Sequence, residues 1–271
     1  MARREKLKKR ILKGLGLGLV IVFLFGFEII RAEGDSEKHI IILNSPRIID
    51  YPDFSMEDEF GIIEHRYQSK YPNKDLGDSF INDLKKYQML YLGQWAAEDT
   101  RGIFYHSEYK KAITEFLSRG GVLFADYLGV SAYRAKKYFP TIGVLYPGNL
   151  KGEGAYYNTK PNAKYREHPL LTRPNKIKGS IGACQWWENW SEEQIPLFVS
   201  ESDPSHAAMI VQENVLGKGT VIFCQIPHFF RKKGKRGRKI LANILSYVYG
   251  EDIYKYKKKK LEEKGGPGET M

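Results

Sequence analysis

Apolar runs alternate along the chain with segments of helical spacing, and this alternation predicts an α/β domain. His39–Leu43 (HIIIL) and Gln88–Leu92 (QMLYL) lack polar alternation, which is typical of strands that are buried on both faces. Between them, Asp78–Lys86 carries apolar residues at helical spacing. The order strand, helix, strand predicts a parallel sheet with helices packed on it.

The clearest unit of this kind spans Glu108–Gly129 (EYKKAITEFLSRGGVLFADYLG). Its apolar residues recur at helical spacing, the pair Gly120-Gly121 ends the predicted helix, and Val122–Ala125 is suited to a central strand. The apolar positions of the helix are Tyr109, Ile113, Phe116 and Leu117.

The second half of the chain ends in further strands and a helix. Ile195–Val199, Ala207–Gln212 and Thr220–Cys224 are predicted strands, and the last two are expected to form a hairpin. A helix is predicted over Lys239–Tyr249, where Gly250 stops it.

Three segments have weaker patterns. Tyr51–Tyr71, rich in tyrosine, proline and acidic residues, is expected to be an irregular insertion, and Phe139–Asn162 to be a long excursion over the sheet edge. A short helix is expected over Val130–Tyr138.

The N-terminus has the pattern of an export segment. Six basic residues lie among the first ten, and an uncharged run of fourteen residues follows from Gly14 to Phe27. Residues 1–32 are therefore expected to be a signal peptide cut after Ala32, or alternatively a signal anchor that keeps the basic end in the cytoplasm. Either interpretation predicts an exported domain over 38–250, periplasmic, extracellular or tethered to the membrane, with a basic disordered tail at 251–271.

The basic excess is local rather than spread over a surface. Residues 1–32 carry a large part of the formal net charge of +11, and Arg231–Lys239 and Lys255–Lys260 carry twelve further basic residues. This pattern argues against a nucleic-acid partner. Both runs are interpreted as a solvated loop and tail, or as a contact with anionic lipid or envelope polymer.

Cys184 and Cys224 are the only cysteines of the chain. Cys224 lies in an apolar run, so a buried free thiol is predicted there. An exported location leaves a Cys184–Cys224 disulfide open as the alternative.

Polar residues follow several predicted strands. Asn44 and Arg47 follow the first, Gln94 and Trp95 the second, and Asp126 and Tyr127 the strand after Gly121. Because the carboxyl ends of parallel strands face the ligand crevice of open α/β sheets, these six residues are candidate ligand-binding residues.

The chain resembles the class I glutamine amidotransferase-like superfamily, and within it the trehalose-utilisation (ThuA-like) and related bacterial domains. The resemblance rests on the helix-Gly-Gly-strand unit, on Arg166–Leu170 (REHPL), and on the closing Gly217-Lys218-Gly219 turn, strand and helix with Ala242–Ile244. It implies a flavodoxin-like three-layer sandwich with a mostly parallel central sheet.

The chain departs from this superfamily at the residues that glutaminase activity requires. Tyr127 occupies the position that matches the family's nucleophilic cysteine, and a phenol with a pKa near 10 does not replace a thiolate at neutral pH. The family's His-Pro-Glu step is replaced by Pro227-His228-Phe229. The domain is therefore expected to lack this activity.

Three further residues are candidate site residues. His168 and His228 are possible proton carriers beside Asp126, and Trp187 lies in an aromatic segment (QWWENW) suited to sugar rings or to the core. No zinc-binding spacing is found, and no metal or cofactor is expected.

Two functions are open at this point. The first hypothesis is a non-enzymatic domain that binds a small molecule, with a carbohydrate as one candidate, or a protein partner. The alternative is a hydrolase or isomerase of a sugar-like substrate that uses Asp126 and His228.

Overall fold

A mixed sheet of eleven strands runs through the part of the chain that the structure describes. The structure is a computed structural model of the 271-residue chain, and it describes residues 37–44, 55–68, 76–93, 106–126, 136–152, 156–226, 235–250 and 253. All the helices and strands named below belong to a unit that begins at Lys38. The strands, in chain order, are β1 (Lys38–Asn44), β2 (Ile62–Gln68), β3 (Met89–Leu92), β4 (Val122–Asp126), β5 (Asn149–Lys151), β6 (Tyr157–Pro161), β7 (Ile181–Ala183), β8 (Trp186–Glu188), β9 (Gln194–Ser200), β10 (Ala207–Val215) and β11 (Gly219–Cys224).

The sheet has a parallel half and an antiparallel half. Its strand order is β2-β1-β3-β4-β11-β10-β9-β6-β7, with β8 paired to both β10 and β5. The four pairings from β2 to β11 are parallel, and the six other pairings among the described strands are antiparallel. The prediction of a mostly parallel sheet therefore holds for the first half, and the sheet as a whole is mixed.

Within the parallel half, the strands follow the order 2-1-3-4-5 when they are counted along the chain. This is the order of flavodoxin-like sheets. The order reverses between β1 and β3, which makes the carboxyl ends of these two strands the topological switch point.

Helices cover both faces of the sheet. The first face packs against α2 (Gly77–Lys86), α3 (Ser107–Ser118) and a 3-10 helix (Phe139–Ile142). The second face packs against α1 (Met56–Phe60), α4 (Pro169–Thr172) and α5 (Lys235–Tyr249). Successive residues of β1 alternate between the two cores, as expected for a strand that is buried on both faces.

The connection from α3 to β4 requires glycine at both Gly120 and Gly121. Gly120, at φ 99°, lies in the left-handed region that favours glycine. A Cβ on Gly121 would lie 2.6 Å from the carbonyl oxygen of Phe116, so the chain passes too close to the end of α3 for a side chain. The predicted helix and strand are both confirmed here.

Two segments expected to be irregular contain regular structure. Tyr51–Tyr71 includes α1, capped by Ser55, and the edge strand β2, so the prediction of an irregular insertion was wrong. Phe139–Asn162 includes the 3-10 helix, β5 and β6, and β6 joins the sheet beside β9. Of the helix expected over Val130–Tyr138, the structure describes residues 136–138, which are helical.

Among the described residues, no helix combines the length and apolar character that a bilayer crossing requires. The predicted export segment, residues 1–32, lies outside the described residues, and Ile253 is the one described residue of the predicted tail.

Candidate functional site at the carboxyl edge of the parallel strands

The ends of four parallel strands form one row. The register of β1, β3, β4 and β11 places Asn44, Gly93, Asp126 and Cys224 side by side at the carboxyl edge of the sheet. The backbone N–H of Gly93 donates to the carbonyl oxygen of Leu43 at 2.9 Å, which extends the β1–β3 pairing into the row. Since neighbouring strands lie about 4.8 Å apart, the row is about 15 Å long.

Asp126 is the buried carboxylate of this row. Only 2% of its surface is exposed, and the hydroxyl of Tyr91 on β3 donates to its Oδ2 at 2.7 Å. The Tyr91 ring packs edge-on against Phe124 at 5.4 Å, which fixes the direction of the hydroxyl. A buried carboxylate is stabilised only when such donors replace its lost hydration.

Cys224 lies beside Asp126 and is a protonated thiol. Burial, and then the neighbouring negative charge of Asp126, raise the pKa of the Cys224 thiol well above its usual value. The backbone N–H of Ile226 donates to its Sγ at 3.4 Å. Cys184 and Cys224 are both buried and neither forms a disulfide, so the predicted buried thiol at Cys224 is confirmed and the alternative disulfide is not formed.

The sequence-predicted ligand residues divide into two groups. Asn44 and Asp126 share the row described above. The other strand-end candidates lie outside the described residues: Arg47, Gln94, Trp95, Tyr127 and His228.

His168 lies elsewhere. It caps α4, where its Nδ1 accepts from the backbone N–H of Leu170 at 3.2 Å, and its Nε2 lies 3.5 Å from Oε1 of Glu213. Glu213 is on β10 close to the start of β11, whereas Asp126 aligns with the end of β11. The structure therefore does not bring His168 to Asp126, and the pairing considered from the sequence is not made.

The His168 contact forms a small network of its own. Tyr247 on α5 donates to Oε1 of Glu213 at 2.7 Å. The hydrogen bond from His168 lowers the pKa of Glu213, and burial raises the pKa of Tyr247 to about 12. These contacts join α4, β10 and α5, which indicates a structural role.

Trp187 is a core residue. It is fully buried on β8, and its ring packs edge-on against Phe223 with centroids 6.1 Å apart. Of the two interpretations of the aromatic segment, the structure favours the core for this residue. Trp187 therefore offers no open ring face to a sugar in this structure.

Sequence reasoning missed two residues at the edge. Tyr91 lies inside an apolar strand and gave no polar signal. Gln225 directly follows a buried strand, so the rule that selected Asp126 would also have selected it.

Among the residues that the structure describes, no three or more histidine, cysteine or acidic side chains are grouped so that they could hold a metal ion.

No family model and no curated protein sequence matches the chain. Its structure is similar to a cytoplasmic protein from Salmonella typhimurium, at 13% identity and a TM-score of 0.49 over 78% of this chain and 98% of the other. It is also similar to a chain of PurLQS from Thermotoga maritima, at 14% identity and 0.46 over 79% and 100%. A ThuA-like protein from Bacteroides uniformis matches at 11% identity and 0.44 over 79% and 93%. At such low identities and TM-scores, neither a family nor a function of this chain rests on these neighbours.

Proposed function

We propose that this chain is an exported, non-enzymatic ligand- or partner-binding domain of the glutamine amidotransferase-like type, with a flavodoxin-like fold. Its site lies at the carboxyl edge of the parallel strands, in the row that contains Asn44 and Asp126. The proposed ligand is a small molecule, with a carbohydrate as the first candidate.

One observation carries the proposal. Asp126 is a buried carboxylate at the carboxyl end of a central parallel strand, held in place by Tyr91, two strands from β1 and next to the switch point. Ligands of open α/β sheets bind at this position. A carboxylate that is already desolvated and oriented loses little further hydration or freedom when it binds a ligand group.

The same edge favours binding over catalysis. The thiol nearest to Asp126 belongs to Cys224, and its raised pKa keeps it protonated at neutral pH, so it is not a nucleophile. The proton carrier that the alternative requires is His228, because His168 lies at the other end of β11.

Thermal unfolding of the full chain tests the proposal. We expect a ligand among sugars, nucleotides, amino acids and divalent metals to raise the melting temperature of the native protein by about 5 °C at saturating concentration. Asp126→Asn is expected to abolish this shift. The matched control is Asp83→Asn, since Asp83 is also largely buried and accepts from a tyrosine, Tyr67, at 2.6 Å, but lies on α2 outside the row.

A ligand shift that survives in Asp126→Asn, or that is lost equally in Asp83→Asn, would place the ligand elsewhere. If the protein instead turns over a sugar, and Asp126→Asn loses about 10³-fold in rate while it still binds, the hydrolase or isomerase alternative replaces the binding function.

A further inference from the structure

Two buried glutamine side chains at the carboxyl end of β11 hold polar atoms that have no protein partner. Within the described part of the chain, both amide atoms of Gln225 and the side-chain oxygen of Gln185 make no hydrogen bond. Gln225 is fully buried, and 4% of Gln185 is exposed. Buried polar groups are nearly always paired, so these three atoms need a partner from outside the protein, either water or a ligand group.

The backbone around these amides is fixed. The N–H of Gln225 donates to the carbonyl oxygen of Ala208 at 2.7 Å, and its own carbonyl accepts from Cys184 at 3.1 Å. The hydroxyl of Tyr157 donates to the backbone carbonyl of Gln185 at 2.7 Å. The two glutamines therefore lie on neighbouring, hydrogen-bonded backbone segments.

Other buried glutamines of this fold are satisfied. Gln212 accepts from the N–H of Leu145 at 3.2 Å, and Gln194 donates to the carbonyl oxygen of Leu145 at 3.0 Å. Gln194 also accepts from the N–H of Ser191 at 3.1 Å. Among the buried glutamines of the described residues, side-chain atoms without a partner are therefore found at Gln225 and Gln185, and leaving amide atoms unpaired is costly.

We propose that Gln225 and Gln185 form a neutral hydrogen-bonding subsite, which takes an uncharged hydroxyl or carboxamide group of the ligand. This inference rests on the proposed function, because Gln225 directly follows the row residue Cys224. The amide of Gln225 offers NH donors and a carbonyl acceptor, and hydroxyl and carboxamide groups each complement both.

The subsite excludes anionic groups. An amide does not neutralise the charge of a buried carboxylate or phosphate. Asp126, which lies opposite Cys224 on the neighbouring strand β4, would also repel a second negative charge. The ligand class is therefore neutral and rich in groups that both donate and accept hydrogen bonds.

Melting temperatures of the full chain test the subsite, first without ligand. Gln225→Met keeps the side-chain volume and removes the amide, so we expect an unchanged or higher melting temperature. The matched control Gln212→Met is expected to lower it, because the N–H of Leu145 loses its acceptor. A drop in Gln225→Met as large as that in Gln212→Met would show that the amide is already satisfied, for example by ordered water, and would overturn the proposal.

Three probes then test the ligand class: glucose for hydroxyls, acetamide for carboxamides, and glucuronate as the anionic counterpart of glucose. We expect glucose or acetamide to raise the melting temperature of the native protein and of Gln212→Met, but not that of Gln225→Met, and glucuronate to have no effect. A rise with glucose identifies a hydroxyl as the bound group, and a rise with acetamide identifies a carboxamide. No shift with either neutral probe, or a shift with glucuronate, overturns the neutral assignment.

Failure here is distinguishable from failure of the proposed function. If Asp126→Asn loses the ligand-induced rise in melting temperature but Gln225→Met keeps it, the carboxyl-edge site is supported and the glutamine subsite is refuted. If Asp126→Asn keeps the ligand-induced rise in melting temperature, the carboxyl-edge site itself is refuted.

Discussion

Burial and the neighbouring Asp126 set the chemistry of the Cys224 thiol. Cys224 is paired with Asp126 across β11 and β4, and burial, together with the carboxylate, raises the pKa of the thiol well above its usual value. We therefore expect the thiol to be a poor nucleophile at neutral pH.

Thiol labelling checks this directly. We expect neither Cys184 nor Cys224 to react with a thiol reagent at pH 8 in the native protein, since both are buried, and both to react once guanidinium unfolds it. Cys184→Ser isolates the Cys224 signal. Rapid labelling of this variant in its native state would contradict the raised pKa, and wild-type thiols that stay unreactive after unfolding would indicate a disulfide.

Trp187 gives a second prediction at the scale of single residues. Because the side chain is fully buried against Phe223, Trp187→Ala should lower the free energy of unfolding by about 3–5 kcal/mol. Chemical denaturation measures the loss, with Trp187→Phe as the milder variant if the alanine variant does not fold. A loss below about 1 kcal/mol in Trp187→Ala would argue against a core role.

Residue type and position predicted part of the row at the carboxyl edge of the parallel strands. Asp126 and Asn44 were found because a polar residue that follows a buried strand faces the carboxyl edge of a parallel sheet. His168 and Trp187 were chosen by residue type, and type alone does not say which end of the sheet or which depth a side chain occupies. Tyr91 was hidden because its ring belongs to the core while only its hydroxyl reaches Asp126.

At the scale of elements, the connection from α3 to β4 depends on one close approach. An alanine at Gly121 would bring its Cβ to 2.6 Å from the backbone oxygen and the ring of Phe116. We expect Gly121→Ala to destabilise the fold by about 1–3 kcal/mol. The control is Gly182→Ala on β7, where nothing lies within 4 Å of an added Cβ. If the two variants are equally stable in a denaturant titration, an added Cβ at position 121 does not clash with Phe116.

The network that joins α4, β10 and α5 predicts an acid dependence. The pKa of Glu213 is lower in the folded protein than its ordinary 4.5, mainly because of the hydrogen bond with His168. A lowered folded-state pKa stabilises the fold above pH 4.5, and this contribution is lost as the pH falls through the folded-state value.

Unfolding of Glu213→Gln measures this contribution. The variant should be less stable than the wild type at pH 6, and the difference should shrink as the pH falls below 4.5. Glu192→Gln, an exposed site, is the control. A stability difference that stays constant from pH 6 to pH 3 would show that the charge of Glu213 contributes nothing.

How well the sequence predicts a strand depends on how deeply that strand is buried. β1, β3, β4 and β11 are short apolar runs and were predicted, because strands covered on both faces exclude polar residues. β2 is an edge strand of seven residues, mostly half-exposed, whose sequence does not alternate between apolar and polar residues. β5, β7 and β8 have three residues each, which is too short for a periodic pattern to be detected.

At the scale of the whole molecule, a parallel half is continued by an antiparallel half. The parallel strands provide a carboxyl edge with a switch point, and β8 pairs with β10 just beyond the end of β11. The sequence predicted four of the five strands of the parallel half, all but β2, from short apolar runs. The antiparallel extension was only partly predicted, because pairings between distant short strands leave no local signal.

Hydrogen–deuterium exchange of the full chain tests the central claim most directly, since it reports where the ligand of the thermal screen acts. We predict that ligand slows exchange at the carboxyl ends of β1, β3, β4 and β11, around Asn44, Gly93, Asp126 and Gln225. We predict no change in the network of His168, Glu213 and Tyr247, which lies toward the start of β11. Protection confined to the His168 network would contradict a binding site at the carboxyl edge of the parallel strands.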